Sequence, residues 1–222
     1  MNRTSSQTGA RDKILGALRA GLGSPPAPPQ DIAAEAAALL ADADLIRPSL
    51  GSKDLVETFA EHFVTQKLGG TLETVSNLQA LPEAVRRYVT GHGLPPAVAL
   101  QPAAELLALD WDGIETRPTM ARDEAVGVGL ARWAIAETGS LVFHSGPDMP
   151  ILFNFLPLHH VVAVKAGSIL RHLEDYAEAA SRVGAPRNAG LVTGASGTTD
   201  IEGSYVRGAH GPRFLHVIVV VE

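Results

Sequence analysis

The sequence predicts one α/β domain, a three-layer α/β/α arrangement built on an open and largely parallel sheet, with a helical extension at its amino end. Three observations carry that expectation. Val217 to Val221 (VIVVV) is a continuous β-branched run of strand length, which suits a strand buried on both faces. From Lys53 onward, strand-like runs alternate with segments of helical period, the pattern of helices packed on both faces of a sheet. The chain has 222 residues, 45% hydrophobic and 19% charged, which buries one substantial core and leaves a second full domain cramped.

Residues 1–52 differ in texture from the rest and read as a helical arm with a proline-rich linker, so that the domain proper spans 53–222. Arg11 to Ala20 sets Ile14, Leu15 and Leu18 on one helical stripe, and SPPAPPQ at Ser24 to Gln30 cannot continue a helix. An alanine-rich helix follows near Ile32 to Ala43. Beyond Lys53, Leu55, Val56, Phe59, Phe63 and Val64 recur at helical spacing after a Ser52 N-cap and before Gly69-Gly70. Thr71 to Val75 reads as a strand, and Leu78 to Thr90 as a helix with Pro82 in its first turn. Ala97 to Leu100 and the segment around Ala108 to Glu115 read as short strands.

In the second half, AIAETGSLVFH (Ala134 to His144) is two extended runs around a Thr-Gly turn, and Val161 to Lys165 is a buried strand. Arg171 to Val183 is a helix expected to bury Leu173, Tyr176, Ala177, Ala180 and Val183. Ala189 to Thr193 is a strand entering a Gly/Ser/Thr loop, and Phe214 to Val221 closes the chain as a central strand.

Composition excludes several classes of function. The cysteine count is zero, so the chain holds no disulfide, thiol nucleophile, cysteine-ligated zinc or cysteine-held iron–sulfur cluster. With 18 basic and 24 acidic residues the net charge is −6, the wrong sign for coating nucleic acid. The amino end lacks the apolar core of a secretory signal, and no stretch approaches the length of a membrane span. A cytoplasmic location is expected.

Four segments could carry chemistry. GASGTTDIE (Gly194 to Glu202) offers small residues whose amides converge on an anion, with hydroxyls from Ser196, Thr198 and Thr199 and a carboxylate at Asp200. The loop follows the AGLVT strand and so is expected at a carboxyl end, where open α/β sheets bind ligands. It reads equally as a tight strand-to-loop connection. In AETGS, Glu137 lies in an apolar strand context, where burial would raise its pKa and fit it for acid, base or nucleophilic work; a structural acid bonded to backbone amides is the other reading. His159, His160, His210 and His216 supply metal-ligand types without compact ligand spacing, and neighbouring strand residues face opposite ways, so no metal is expected. GAHGPR (Gly208 to Arg213) is a sharp loop that would bring His210 and Arg213 near the Gly194 loop, where they suit a carboxylate or phosphate, or it is a turn with a surface arginine.

Taken together, AIAETGSLV, FLPLHHVVAV, TGASGTTDIE and VRGAHGPRFLHVIVV resemble the LUD-domain family, in particular its lactate-utilization protein C branch, in order and approximate spacing from about Leu50 onward. The resemblance implies a Rossmann-like α/β/α fold of the type shared by glucosamine-6-phosphate deaminase, ribose-5-phosphate isomerase and CoA transferases. It implies an accessory role in oxidising L-lactate to pyruvate, with iron–sulfur oxidoreductase proteins as partners and the clusters in those partners. The family's AETG falls on Ala136 to Gly139, its DIE on Asp200 to Glu202 and its HGP on His210 to Pro212. A small anion is therefore expected at Thr138, Gly139, Gly194, Ser196, Gly197, Thr198, Asp200, His210 and Arg213, with Glu137 the candidate catalytic group. Where relatives read close to GPSRTADIE, this chain has Ala195 and Gly197 in place of Pro and Arg. An arginine common before the family's SLLP-like segment falls on Ile151, and its serine on Asn154, which implies weak binding of an anionic ligand, replacement of those cations by Arg207 or Arg213, or a different ligand. The competing functional class is a stand-alone enzyme or ligand-binding module acting on a sugar phosphate or a CoA ester.

Overall fold

A computed structural model describes residues 5–23, 28–41, 47–64, 69–199 and 202–222. The chain divides into two units, 1–47 and 48–222. The first holds helices α1 (Ser5–Gly21) and α2 (Pro29–Ala41), longer at their amino ends than the hydrophobic spacing suggests. Ile14, Leu18, Ile32 and Leu39 are all exposed. Most of the proline linker (24–27) and the expected end of α2 beyond residue 41 lie outside the described residues.

The second unit is organised by a six-stranded, wholly parallel sheet in the order β1-β12-β7-β4-β2-β3. Its strands are β1 (Gly70–Val75), β2 (Ala97–Leu100), β3 (Glu115–Arg117), β4 (Val126–Leu130), β7 (His159–Lys165) and β12 (Phe214–Val220). The Val/Ile run predicted to lie inside the sheet is β12, paired on both sides by β1 and β7. Alternation sends Val161, Ala163, Ile218 and Val220 to one face and Val162, Val164, Val217 and Val219 to the other, and both faces are buried.

The first face is covered by helix α4 (Leu81–Gly91), which buries Leu81, Ala84, Val85, Tyr88 and Val89, and by the short helix α5 (Ala104–Leu107) through Leu106. The second face is covered by helix α3 (Leu55–Phe63) and by a smaller mixed sheet in the order β8-β5-β6-β9. That sheet comprises β5 (Trp133–Ile135), β6 (Ser140–His144), β8 (Ile169–Leu170) and β9 (Ala189–Val192). Asp54, rather than Ser52, caps α3: its carboxylate accepts the Val56 amide at 2.8 Å. Phe59 and Phe63 are wholly buried and stacked at 5.5 Å, and the Phe63 ring lies where a side chain on Gly70 would begin. A hairpin of β10 (Gly197–Thr199) and β11 (Tyr205–Arg207) completes the strands.

Two further expectations are corrected, and one strand was not expected. The stretch around Ala108 to Glu115 is not a strand: its residues follow α5, and β3 begins only at Glu115. The central strand β4, VGVGL, is unannounced by strand propensity because glycine weakens it. Its glycines are explained by packing, since Pro157 closes on Gly127, and the Gln101 carboxamide and His160 ring close on Gly129. Finally, helix α6 (Leu173–Ser181) buries none of its residues fully; Leu173 and Val183 are each 45% exposed, and Ala177 is exposed. Tyr176 is held from one side instead, its hydroxyl hydrogen-bonded to His144 Nε2 at 3.0 Å.

Candidate functional site

Two of the motif segments converge at the amino edge of the parallel sheet. The GAHGPR loop runs directly into β12, and the Gly194 loop lies against it: the Ser196 amide donates to the Pro212 carbonyl at 2.9 Å, and the Gly208 amide to the Ser196 carbonyl at 2.8 Å. Gly211 permits this approach, because a Cβ there would stand 3.1 Å from the Ser196 side chain. The Gly194 loop does not occupy a carboxyl end of the main sheet. Its strand, β9, pairs antiparallel with β6 in the smaller sheet, and the tertiary fold returns the loop to the opposite edge.

Between these loops lies a pocket of about 210 Å³ whose lining includes Gly194, Ser196, His210, Gly211, Phe155 and Asn154. Of the predicted site residues, then, the fold brings Gly194, Ser196 and His210 together. Asn154 is an addition that residue-type reasoning alone did not select. It is 2% exposed, and neither atom of its carboxamide has a partner among the described residues. A buried amide left unsatisfied in this way is uncommon and calls for a partner. The signal that could have found it was present: it occupies the place of the family's serine.

The other predicted residues that the structure describes stand outside the lining. Gly197 and Thr198 belong to β10, paired with Arg207 and Val206. The Tyr205 ring fills the space where a side chain on Gly197 would start. Arg213 lies over the Phe214 ring at 5.6 Å. Asp200 lies outside the described residues.

The AETGS turn joins β5 to β6 and connects to the Gly194 loop through hydroxyls: Thr138 bonds Ser140 at 2.7 Å, and Ser140 bonds Thr193 at 2.6 Å. Gly139 takes a left-handed backbone with φ of 65°, and a Cβ there would stand 2.8 Å from the Phe63 amide nitrogen. Glu137 is part-exposed and works at the start of α6, where a carboxylate oxygen accepts the Leu173 amide at 3.1 Å and stands 3.5 Å from His172 Nδ1. This is the geometry of an acid at a helix amino terminus.

The other histidines are structural neighbours of the sheet. The Tyr88 hydroxyl is hydrogen-bonded to His159 Nδ1 at 3.0 Å, and His216 bonds Thr71 at 2.8 Å and faces Glu73. Burial lowers the pKa of both rings, and raises that of the Tyr88 hydroxyl to about 12. His160 points to the opposite face from His159, wholly buried against Phe143, and burial holds it at about 4. No cluster of metal-ligating side chains occurs among the described residues.

The fold and pocket define a class: an α/β protein on a parallel sheet whose connecting loops build a small, largely apolar cavity at the amino edge, with Ser196, His210 and Asn154 as its polar groups. The chain belongs to the LUD-domain family, whose model matches residues 54–220. A protein of Deinococcus radiodurans named lactate utilization protein C is 32% identical over 142 residues, covering 61% of this chain and 63% of that protein. A protein of the same name from Geobacillus kaustophilus is 26% identical over 186 residues, covering 72% of this chain and 78% of that one. The alignment thus spans less than two thirds of the Deinococcus relative. Among solved structures, a crystal structure of a DUF162 family protein from Deinococcus radiodurans superposes with a TM-score of 0.55 at 21% identity, over 78% of this chain and 99% of that one. Its likeness is one of fold, and it agrees with the predicted α/β class. No described helix is long and apolar enough to cross a membrane.

Proposed function

We propose that this chain serves lactate utilization as a cluster-free accessory subunit in the oxidation of L-lactate to pyruvate, and that it holds a small carboxylate in the amino-edge pocket. The observation that carries the reading is the family match over 54–220, together with the shared name of relatives from several bacteria. Oxidising L-lactate to pyruvate removes two electrons and two protons. With no cysteine in the sequence, cysteine-held clusters that accept those electrons belong to iron–sulfur partner proteins.

The pocket's chemistry supports the ligand class. The Ser196 hydroxyl and a ring N–H of His210 donate to a carboxylate, and the Asn154 carboxamide supplies a donor for the same group and an acceptor for an adjacent hydroxyl. A cavity of about 210 Å³ suits a molecule the size of lactate.

The test mixes the purified chain with cysteine-rich iron–sulfur proteins encoded beside its gene, and measures complex formation and lactate-dependent electron transfer. Association, and a rate that depends on this chain and falls in Ser196→Ala, is the expected result. No association and undiminished oxidation without the chain would overturn the proposal.

A further inference from the structure

The carboxyl edge of the parallel sheet holds a second and larger cavity, of about 470 Å³, that no predicted motif touches. It opens where β2, β4 and β7 end, at Gln101, Leu130 and Lys165, the position at which open α/β sheets gather ligands. Its volume is that of an ordinary small-molecule site and more than twice that of the amino-edge pocket.

The walls are polar in a particular way. Arg132 projects its guanidinium over the Trp133 ring, 4.9 Å from the centroid, and has no carboxylate partner among the described residues. The stacking holds a cation in place before any ligand arrives, which reduces the ordering a ligand must impose. Lys165 is the second cation and is engaged by Glu105 across the mouth of the cavity. The floor is rigid: Gln101, 3% exposed, accepts the Leu130 amide at 2.7 Å and donates to the Asp148 carbonyl at 2.9 Å, tying the 146–149 turn to the end of β2. His144, whose pKa burial and the nearby Arg132 charge both lower, also lines the cavity and is hydrogen-bonded through Nε2 to the Tyr176 hydroxyl. Asp148 and Glu105 bring carboxylates to the same lining, and the cations available to a ligand are Arg132 and, once released by Glu105, Lys165.

We propose that this cavity is a second ligand site, for an organic oxyanion larger than lactate, gripped by Arg132 and by Lys165 once Glu105 yields it. The oxyanion is a carboxylate or a phosphate. Both bind guanidinium through paired N–H···O bonds, and the experiment separates them.

The experiment titrates the full chain by calorimetry with citrate and, separately, with pyrophosphate. Saturable binding of one or both is expected, with the preferred probe naming the oxyanion. Charge-assisted hydrogen bonds contribute about 1.5–3 kcal/mol each, so Arg132→Ala should weaken binding by about tenfold to a hundredfold. Glu105→Gln, which releases Lys165, should tighten it, and Ser196→Ala at the other edge should leave it unchanged. No saturable binding of either probe, or equal affinity in wild type and Arg132→Ala, overturns the proposal. Because Ser196 and Arg132 lie in different pockets, loss of the lactate reading leaves this inference standing, and the reverse holds too.

Discussion

Replacing Gly139 with alanine probes the contact that joins the AETGS turn to helix α3. Two effects add there. The left-handed backbone, with φ of 65°, disfavours any Cβ by about 1–2 kcal/mol. In addition the new methyl would stand 2.8 Å from Phe63 N, 3.0 Å from the His62 carbonyl carbon and 3.0 Å from Phe63 Cα. These are backbone atoms at the end of a helix whose Phe59 and Phe63 are wholly buried, so relief requires moving α3 or the turn, an overpacking penalty of about 1–3 kcal/mol. The expected loss is about 2–5 kcal/mol, a large share of a typical domain's stability. Gly113→Ala is the matched control: its φ is 77°, but nothing lies within 4 Å of the added Cβ, so it carries the conformational term alone. Urea unfolding of both variants, with midpoints and slopes compared to wild type, isolates the difference. If Gly139→Ala and Gly113→Ala lose equal stability, the close approach of α3 to the turn does not exist as described.

Asn154→Leu removes a buried amide that has no partner among the described residues, and is expected to stabilise the fold by about 1–2 kcal/mol in thermal or urea unfolding while abolishing carboxylate binding at the amino edge. A marked loss of stability would mean that the amide is satisfied in the free protein. His160 gives a pH dependence with a definite sign. Its folded pKa is about 4, against about 6.5 in the unfolded chain. Above pH 6.5 neither state is protonated; as pH falls from there toward 4, the unfolded state takes up the proton first, so stability declines by a few kcal/mol and then levels off. Urea midpoints across that window should decline less steeply in His160→Leu than in wild type, and an unchanged slope would show that His160 does not bear the effect.

Much of the fold was legible because its signals are local. The β12 run, the helical stripe through Phe59 and Phe63, and the Pro82 start of α4 each follow from neighbouring residues alone. The failures have physical causes too. In β4 the glycines suppress strand propensity, yet they are there to admit Gln101 and the buried His160 ring, a reason visible only when distant segments meet. Helix α6 carries a credible apolar stripe, but its place on the rim of the smaller sheet leaves that stripe half open.

The candidate site divides along the same line. By itself the sequence determined the family, the parallel α/β class and the absence of any thiolate ligand, because residue types and their order along the chain decide these. It also singled out Gly194, Ser196 and His210. Only the tertiary structure decided which edge of the sheet they share, since β9 pairs with β6 and no local signal reports that choice of partner. It likewise decided that Glu137 serves the start of α6, that Asn154 is buried without a partner among the described residues, and that Arg132 and Lys165 meet at a cavity of their own. Those facts depend on contacts between residues far apart in sequence, and such contacts exist only once the sheets have closed on each other.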